Sequence, residues 1–399
     1  MCTIDAGLYW LLPGPRDFIN KIATRISSSR VLVANLPRSI VPGTRECIIR
    51  GLRDAHIQDP IQLIIRNGTD IANDVGVHFG IPRMTAPQLA EFHSSSEIVV
   101  ILQAQDDKAQ QQCEQYTLDF MEATSYYHGN VCLVTSIHDN QHQKDSQLGK
   151  VQLINFDGGL TPDEMDAYVA LRMVNRSGPG STRLLRAIIS EFAGFDAQFA
   201  ERLIQLDDAQ ILAIRDQLRL LLGEDPERWR KLDWLLGTTS IVTQMPHVLH
   251  DFYLSEYGTD QQKEEAKGRI SRRYWRACLK VISPWLEERR REVVGHFLPQ
   301  LRQIADKDAS RQIPVPIGKD KCGIDKFRYI EPEDVEFNNI VGLYYSQQIK
   351  VVSIDEKMAL KICQSAKPVR DNIAHMRAPN IQDLINLIQD MDTLVESYR

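Results

Sequence analysis

The sequence predicts a doubly wound α/β domain with a mostly parallel sheet, then a helical lid, then an all-α helical bundle. Three observations carry this. Over the first 155 residues, short Val- and Ile-rich runs alternate with helix-like segments at intervals of 25 to 35 residues. From Thr161 to about Leu236 apolar residues recur at helical spacing. From Arg269 onward, long amphipathic stretches surround one Pro- and Gly-rich segment. The expected divisions are 1–158 for the α/β domain, 159–240 for the lid, 241–268 for a linker and 269–399 for the bundle.

The expected strands are Val31 to Leu36, Ile61 to Ile65, Glu97 to Leu102, Val131 to Ile137 and Val151 to Phe156. Their nearly continuous hydrophobicity is that of parallel strands buried on both faces and joined by helical crossovers. Thr161-Pro162-Asp163-Glu164 reads as an N-cap, a proline at the first helical position and acids in the first turn. Leu203, Ile211, Leu212, Ile214, Leu218, Leu221 and Leu222 supply the lid's apolar face. Gly237 to Gly268 is turn-rich and polar toward its end. A long helix is expected from Arg269 to about Ala305, with a break at Pro284. Asp306 to Asp334, with three prolines and two glycines, should be a loop that has room for a short hairpin. Asn338 to Gln347, Asp355 to Ala366 and the stretch from Ile381 to Val395 read as further helices.

Composition is that of a globular protein, 43% hydrophobic and 25% charged over 399 residues. No apolar run approaches the ~18–20 residues that span a bilayer, and Met1 to Gly7 lacks the features of a signal peptide. Seven scattered cysteines without a C-x-x-C pair read as reduced thiols of a cytoplasmic protein, not as a disulfide framework or zinc site. The net charge of −6 is uneven: residues 269–399 carry 22 Lys and Arg against 18 Asp and Glu, and the rest carries −10. A polyanion would therefore bind toward the C-terminal end.

The first strand should lead into a phosphate loop, if one exists. There the sequence reads Leu-Pro-Arg-Ser-Ile-Val-Pro-Gly-Thr-Arg-Glu (36–46). Gly43 is present, but Thr44 stands in place of the lysine that reaches terminal phosphates, with Arg45 next. Gln103 ends the strand that would carry a metal-holding acid. This segment resembles a P-loop NTPase stripped of its catalytic parts. The resemblance implies no nucleotide hydrolysis and leaves nucleotide binding open. Gly178 to Thr182, without a nearby lysine, reads as a turn into a capped helix. His138/His142 and His247/His250 lack the glutamate of a zinc hydrolase, and no G-x-S-x-G elbow occurs.

The remaining signal is Val-Arg-Asp-Asn-Ile-Ala-His-Met-Arg-Ala-Pro (369–379). The spacing of Arg370 and His375 alone means little. R-x4–6-H occurs five times in the chain, Arg50/His56 and Arg291/His296 included, where chance gives roughly two. Its context is more specific: Asp371 follows the arginine, Ile373 and Ala374 precede the histidine, and the final amphipathic helix comes next. Over residues 269–399 the chain resembles HEPN domains, helical bundles found in metal-independent ribonucleases of defence and toxin–antitoxin systems.

That resemblance implies a metal-independent endoribonuclease needing no cofactor, a homodimer formed through the bundle, RNA (tRNA among the candidates) as substrate, and an antitoxin or activator as partner. His375 would shuttle protons, Arg370 would stabilise the pentacovalent phosphate, and Asp371 would orient His375. Asn372 would contact RNA or polar groups beside the site. The chemistry fits these residue types: imidazole moves protons near neutral pH, and a forked guanidinium matches phosphoryl oxygens. Arg269, Arg272, Arg273, Arg276 and Lys280 share about 100° of helical arc, so Arg272, Arg273 and Arg276 are candidate phosphate contacts, or simply a solvated face. Pro368 should place the motif at a helix start or bend. The alternative is an inactive HEPN scaffold, in which His375 ends a helix and Arg370 pairs with Asp383 or Asp390.

Overall fold

The computed structural model describes residues 4–37, 41–57, 60–138, 152–176, 181–319 and 325–396. The described helices are α1 (Ala6–Tyr9), α2 (Pro13–Ile26), α3 (Thr44–Asp54), α4 (Ile71–His78), α5 (Ala86–Glu91), α6 (Asp107–Ala123), α7 (Pro162–Arg172), α8 (Ser181–Ala193), α9 (Ala197–Ile204), α10 (Asp208–Leu212), α11 (Ile214–Leu222), α12 (Val248–Tyr257), α13 (Asp260–Gly295), α14 (Leu298–Ala305), α15 (Phe337–Tyr345), α16 (Ile354–Ala374) and α17 (Ile381–Glu396). The strands are β1 (Val31–Asn35), β2 (Ile61–Ile65), β3 (Ile98–Ala104), β4 (Val131–Ile137), β5 (Gln152–Asn155), β6 (Ile313–Lys319) and β7 (Asp325–Ile330). Two compact units result. One comprises Met1–Arg172, Ala193–Gln205 and Arg219–Gly258; the other comprises Met173–Phe192, Leu206–Leu218 and Thr259–Arg399.

The first unit holds a five-stranded parallel sheet in the order β2-β3-β4-β1-β5. All five residues of β1 are buried, as a central strand covered on both faces requires. Val31 and Val33 join Leu63, Val100, Leu102 and Leu133 in a core capped by α4, α5 and α6. Helices α2 and α3 pack together, and α2 lies on β1 and β5. The chain leaves β1 toward β2 on one side and returns from β4 to β5 on the other. The topological switch point therefore lies at the carboxyl ends of β1 and β4.

Helix α7 starts as the sequence predicts. The Thr161 N–H donates to Glu164 Oε2 at 2.8 Å, and the Glu164 N–H donates to Thr161 Oγ1 at 3.4 Å. The segment read as one lid is divided between the two units, α8 belonging with the bundle apart from Ala193. The segment read as a linker contains α12 and the first turns of α13. Thr259 caps α13 in a capping box with Gln262, ten residues upstream of Arg269.

The second unit is helical, with a small antiparallel pair, β6 and β7, in the expected hairpin position. Its core includes Ala277, Cys278 and Ile282 of α13, Ile340 of α15, Cys363 and Ala366 of α16, and Leu384 and Leu387 of α17. Pro284 does not break α13 as expected. It lies on the exposed side between buried Ile282 and Leu286, and the residue whose carbonyl loses its helical donor, Lys280, is exposed too, while the apolar side keeps packing. No helix of the described residues is long and apolar enough to cross a membrane.

Cys47, Cys113, Cys132, Cys278 and Cys363 are free thiols. Burial raises the last four to about 12, which suppresses the reactive thiolate near neutral pH. Titration of native protein with a thiol-specific chromogen at pH 8 should label half-buried Cys47 and leave those four silent until denaturant is added. Rapid labelling of any of the four would contradict its burial.

Candidate active site

The run that carries the HEPN resemblance ends α16. Ser353 caps this helix, accepting the Glu356 N–H at 3.1 Å, and Leu360, Ile362, Cys363, Ala366, Val369 and Ile373 form its buried side. Helix α16 packs against α13, α15 and α17. Pro368 neither starts nor ends it. The helix runs through to Ala374, held by buried Ala366 and Val369 on either side. The motif thus occupies a helix terminus, not a beginning. There the Met376 N–H donates to Ile373 O at 3.1 Å and the Arg377 N–H to Asn372 O at 2.8 Å, a Schellman closure. Met376 takes the left-handed conformation (φ 56°) that glycine usually supplies there. Trp275 Nε1 of α13 also donates to Ile373 O, at 2.8 Å, fixing this end against the neighbouring helix.

His375 is the C-cap residue and its side chain is exposed. Among the described residues, its ring makes no hydrogen bond. The contact with Asp371 runs through the backbone, His375 N–H to Asp371 O at 3.1 Å, and no bond joins the two side chains. The orienting role expected of Asp371 is therefore not expressed in this geometry. Asn372 is turned inward along its own helix, with Nδ2 donating to Pro368 O at 2.9 Å.

Arg370 faces elsewhere, as residues five apart on a helix must. It lines an open cleft together with Ser283, Leu286, Glu287, Arg290, Glu336 and Phe337. Its Nη1 lies 2.5 Å from Glu336 Oε2, with the two side chains 39% and 43% exposed. The partner is thus Glu336 and not an acid of the last helix. Asp390 instead takes Lys361 Nζ at 2.6 Å, in a polar groove between α16 and α17.

The basic stripe of α13 is divided by its environment. Arg272 is exposed, whereas Arg273 is 3% exposed and donates to Glu191 O at 3.0 Å. Arg276 Nε and Lys280 Nζ reach the two Glu191 oxygens at 2.7 and 2.9 Å. Glu191, itself 10% exposed, lies in the last turn of α8, where cations also meet the negative helix end. Arg273 and Arg276 thus fasten α8 to α13, and Arg272 alone of the three stands free of that clamp. The rival pair Arg291/His296 also ends a helix, with His296 as the C-cap of α13 and Arg291 in a cleft with Glu333 and Asp334.

In the first unit, Gly43 (φ 82°) caps α3, and a Cβ there would lie 3.2 Å from Ala6 Cβ. Thr44 Oγ1 donates to Val41 O at 2.5 Å, and Arg45 Nε turns to Gln62 Oε1. Asp106 caps α6, accepting the Ala109 N–H at 2.9 Å and the Lys108 N–H at 3.0 Å. The Ala109 N–H contributes most to holding this carboxyl below the usual aspartate range. These side chains are engaged with neighbouring protein atoms. A shallow cleft after β5 is lined by Pro37, Pro42, Phe195, Asp157 and Asp196. Asp157 is spent on Ser240 Oγ at 2.6 Å and the Ile241 N–H at 2.9 Å.

His138 Nδ1 meets Leu36 O at 2.8 Å, joining the ends of β4 and β1. His247 caps α12 and stacks on Trp229 at 4.6 Å, while His250 Nδ1 meets Trp229 O at 2.7 Å. Both are structural in this setting. His142 and residues 177–180 lie outside the described residues. Among the described residues, no group of three or more His, Cys, Asp or Glu side chains is gathered to hold a metal ion.

Two participants escaped the sequence reading. Glu191 lies about 80 residues before the cations it binds, so no local spacing reveals it. Glu336 left a faint trace, an acid three residues before Asn339 at the head of an apolar helix. Its N–H donates to Asn339 Oδ1 at 3.0 Å.

No family model matches the chain, and no curated protein matches it. Among solved structures it is similar to a point mutant of RuvB from Thermotoga maritima, at 11% identity and a TM-score of 0.28, over 64% of this chain and 95% of that one. The α/β assignment of the first unit rests on its own strand order, not on that similarity.

Proposed function

We propose that the second unit is a HEPN-type, metal-independent endoribonuclease, and that the first is a degenerate P-loop NTPase-like domain regulating it. The carrying observation is His375: a histidine exposed at a helix terminus, its ring unbonded among the described residues, five residues after Arg370 at an open cleft. In such a reaction the 2′-oxygen attacks the adjacent phosphorus while the bond to the 5′-oxygen breaks. The products are a 2′,3′-cyclic phosphate and a 5′-hydroxyl. One imidazole takes the 2′-hydroxyl proton, another delivers a proton to the leaving oxygen, and Arg370 faces the non-bridging oxygens. Since Arg370 and His375 diverge on one helix, a single copy offers a half-site. A homodimer supplies two histidines to one cleft. Defence or toxin action, tRNA among the substrates, and control by an antitoxin or activator follow from the same reading.

Purified protein mixed with total RNA in excess EDTA should fragment it, and Arg370→Ala should not. A second reading, an inactive scaffold, is favoured by the 2.5 Å Arg370–Glu336 pair and by the inward turn of Asn372. It predicts intact RNA from a folded dimer under the same conditions.

A further inference from the structure

Glu336 is held in place more firmly than a surface acid needs to be. Arg290 Nη1 donates to the carbonyls of Glu333 and Val335, both at 3.1 Å, while its Nε and Nη2 hold Glu287. Val335 and Phe337 are buried on either side, and Asn339 accepts the Glu336 N–H. The backbone at Glu336 is thereby fixed, and its carboxylate is presented to Arg370 across a cleft open to water. The cleft balances two guanidiniums, Arg290 and Arg370, against two carboxylates, Glu287 and Glu336. The hydrogen bond from Arg290, reinforced by Arg291 and Arg370, keeps neighbouring Glu287 below the usual glutamate range. An ion pair as exposed as Arg370–Glu336 is worth no more than about fivefold in an equilibrium, so a polyanion can displace it.

We propose that Glu336 is an internal stand-in for an RNA phosphodiester: it occupies Arg370 in the resting protein and yields when a phosphate of single-stranded RNA enters the cleft. The ligand class rests on the ribonuclease reading; the occupied guanidinium does not. Glu336 is then a positioning residue that sets the threshold for engagement, and RNA must compete with it for the guanidinium.

The test uses the full chain and a fluorescent 2′-O-methyl RNA oligonucleotide, which lacks the attacking hydroxyl, with affinity read by anisotropy over a salt series. Glu336→Gln should tighten binding by about three- to fivefold at low salt. The gain should shrink as added salt screens the Arg370–Glu336 pair, so the slope of log affinity against log salt steepens. Glu336→Ala should give the same gain even where a glutamine amide keeps some hold on Arg370. Adding Arg370→Ala to Glu336→Gln should erase the gain. Glu333→Gln, which removes an equal charge from the neighbouring pair with Arg302, should leave the slope unchanged. An unchanged affinity and slope in both Glu336 variants, or a gain surviving Arg370→Ala, overturns the proposal. Cleavage of unmodified RNA is scored separately. A Glu336 gain without cleavage in any variant upholds the stand-in and removes the ribonuclease reading; cleavage without the gain does the reverse.

Discussion

Replacing His375 with alanine should lower RNA cleavage by about 10²- to 10⁴-fold, the range for losing a positioned proton-transfer group. The fold should be nearly unaffected, because the exposed ring makes no hydrogen bond among the described residues and the Schellman closure uses only backbone atoms. That separation makes the variant informative. A large loss of activity at an unchanged melting temperature locates the effect in chemistry. Equal activity in variant and wild type would remove His375 from the reaction. Because His375 caps the helix, His375→Asn is a useful companion: it keeps a polar C-cap residue and should be as inactive as the alanine variant.

The largest expected effect on stability lies in the first unit. A Cβ added at Gly129 would fall 2.3 Å from Phe92 O and 2.6 Å from Ala90 O, both backbone atoms at the carboxyl end of α5. The Gly129 N–H itself donates to Ala90 O at 3.1 Å, so neither side can withdraw without losing a bond. Gly129→Ala should therefore cost about 3 kcal/mol, the upper part of the overpacking range. For a unit of this size that corresponds to a fall of roughly 6–12 °C in the melting temperature. Thermal unfolding followed by circular dichroism checks it. A shift below a degree would mean that the turn before β4 is looser than its contacts imply.

Much of the fold was legible because it depends on local pattern. Ile61–Ile65 and Val131–Ile137 are strands with the expected bounds: Val131–Ile137 is buried throughout, and edge strand Ile61–Ile65 buries Leu63 and Ile65 on either side of exposed Ile64. The cap at Thr161 was equally local. The two prolines misled because a proline's cost depends on what faces the lost hydrogen bond, and Pro284 is turned to solvent. The start of α13 lies upstream of the expected Arg269 because Asp260 to Gly268 is polar apart from Ala266 and Gly268, and its signal is the cap at Thr259, not hydrophobicity.

The site was legible in part. The run from Arg370 to His375 stood out by its residue types, and its place at a helix terminus agrees with the alternative in which His375 ends a helix. What the sequence could not convey was which charges are already engaged. Spacing puts Arg273 and Arg276 on one arc of α13, but only the fold brings Glu191 against them. Likewise, Glu336 becomes relevant to Arg370 because Arg290 holds the segment before α15 in place. Periodicity describes a helix face; its partners come from elsewhere in the chain.

The ends of the RNA fragments produced by the 399-residue chain in excess EDTA decide whether Arg370 and His375 carry out this chemistry. Cleavage leaving 2′,3′-cyclic phosphate and 5′-hydroxyl ends, lost on replacing either Arg370 or His375, is the predicted result. Intact RNA from a folded dimer, or fragments with 3′-hydroxyl ends, would contradict it.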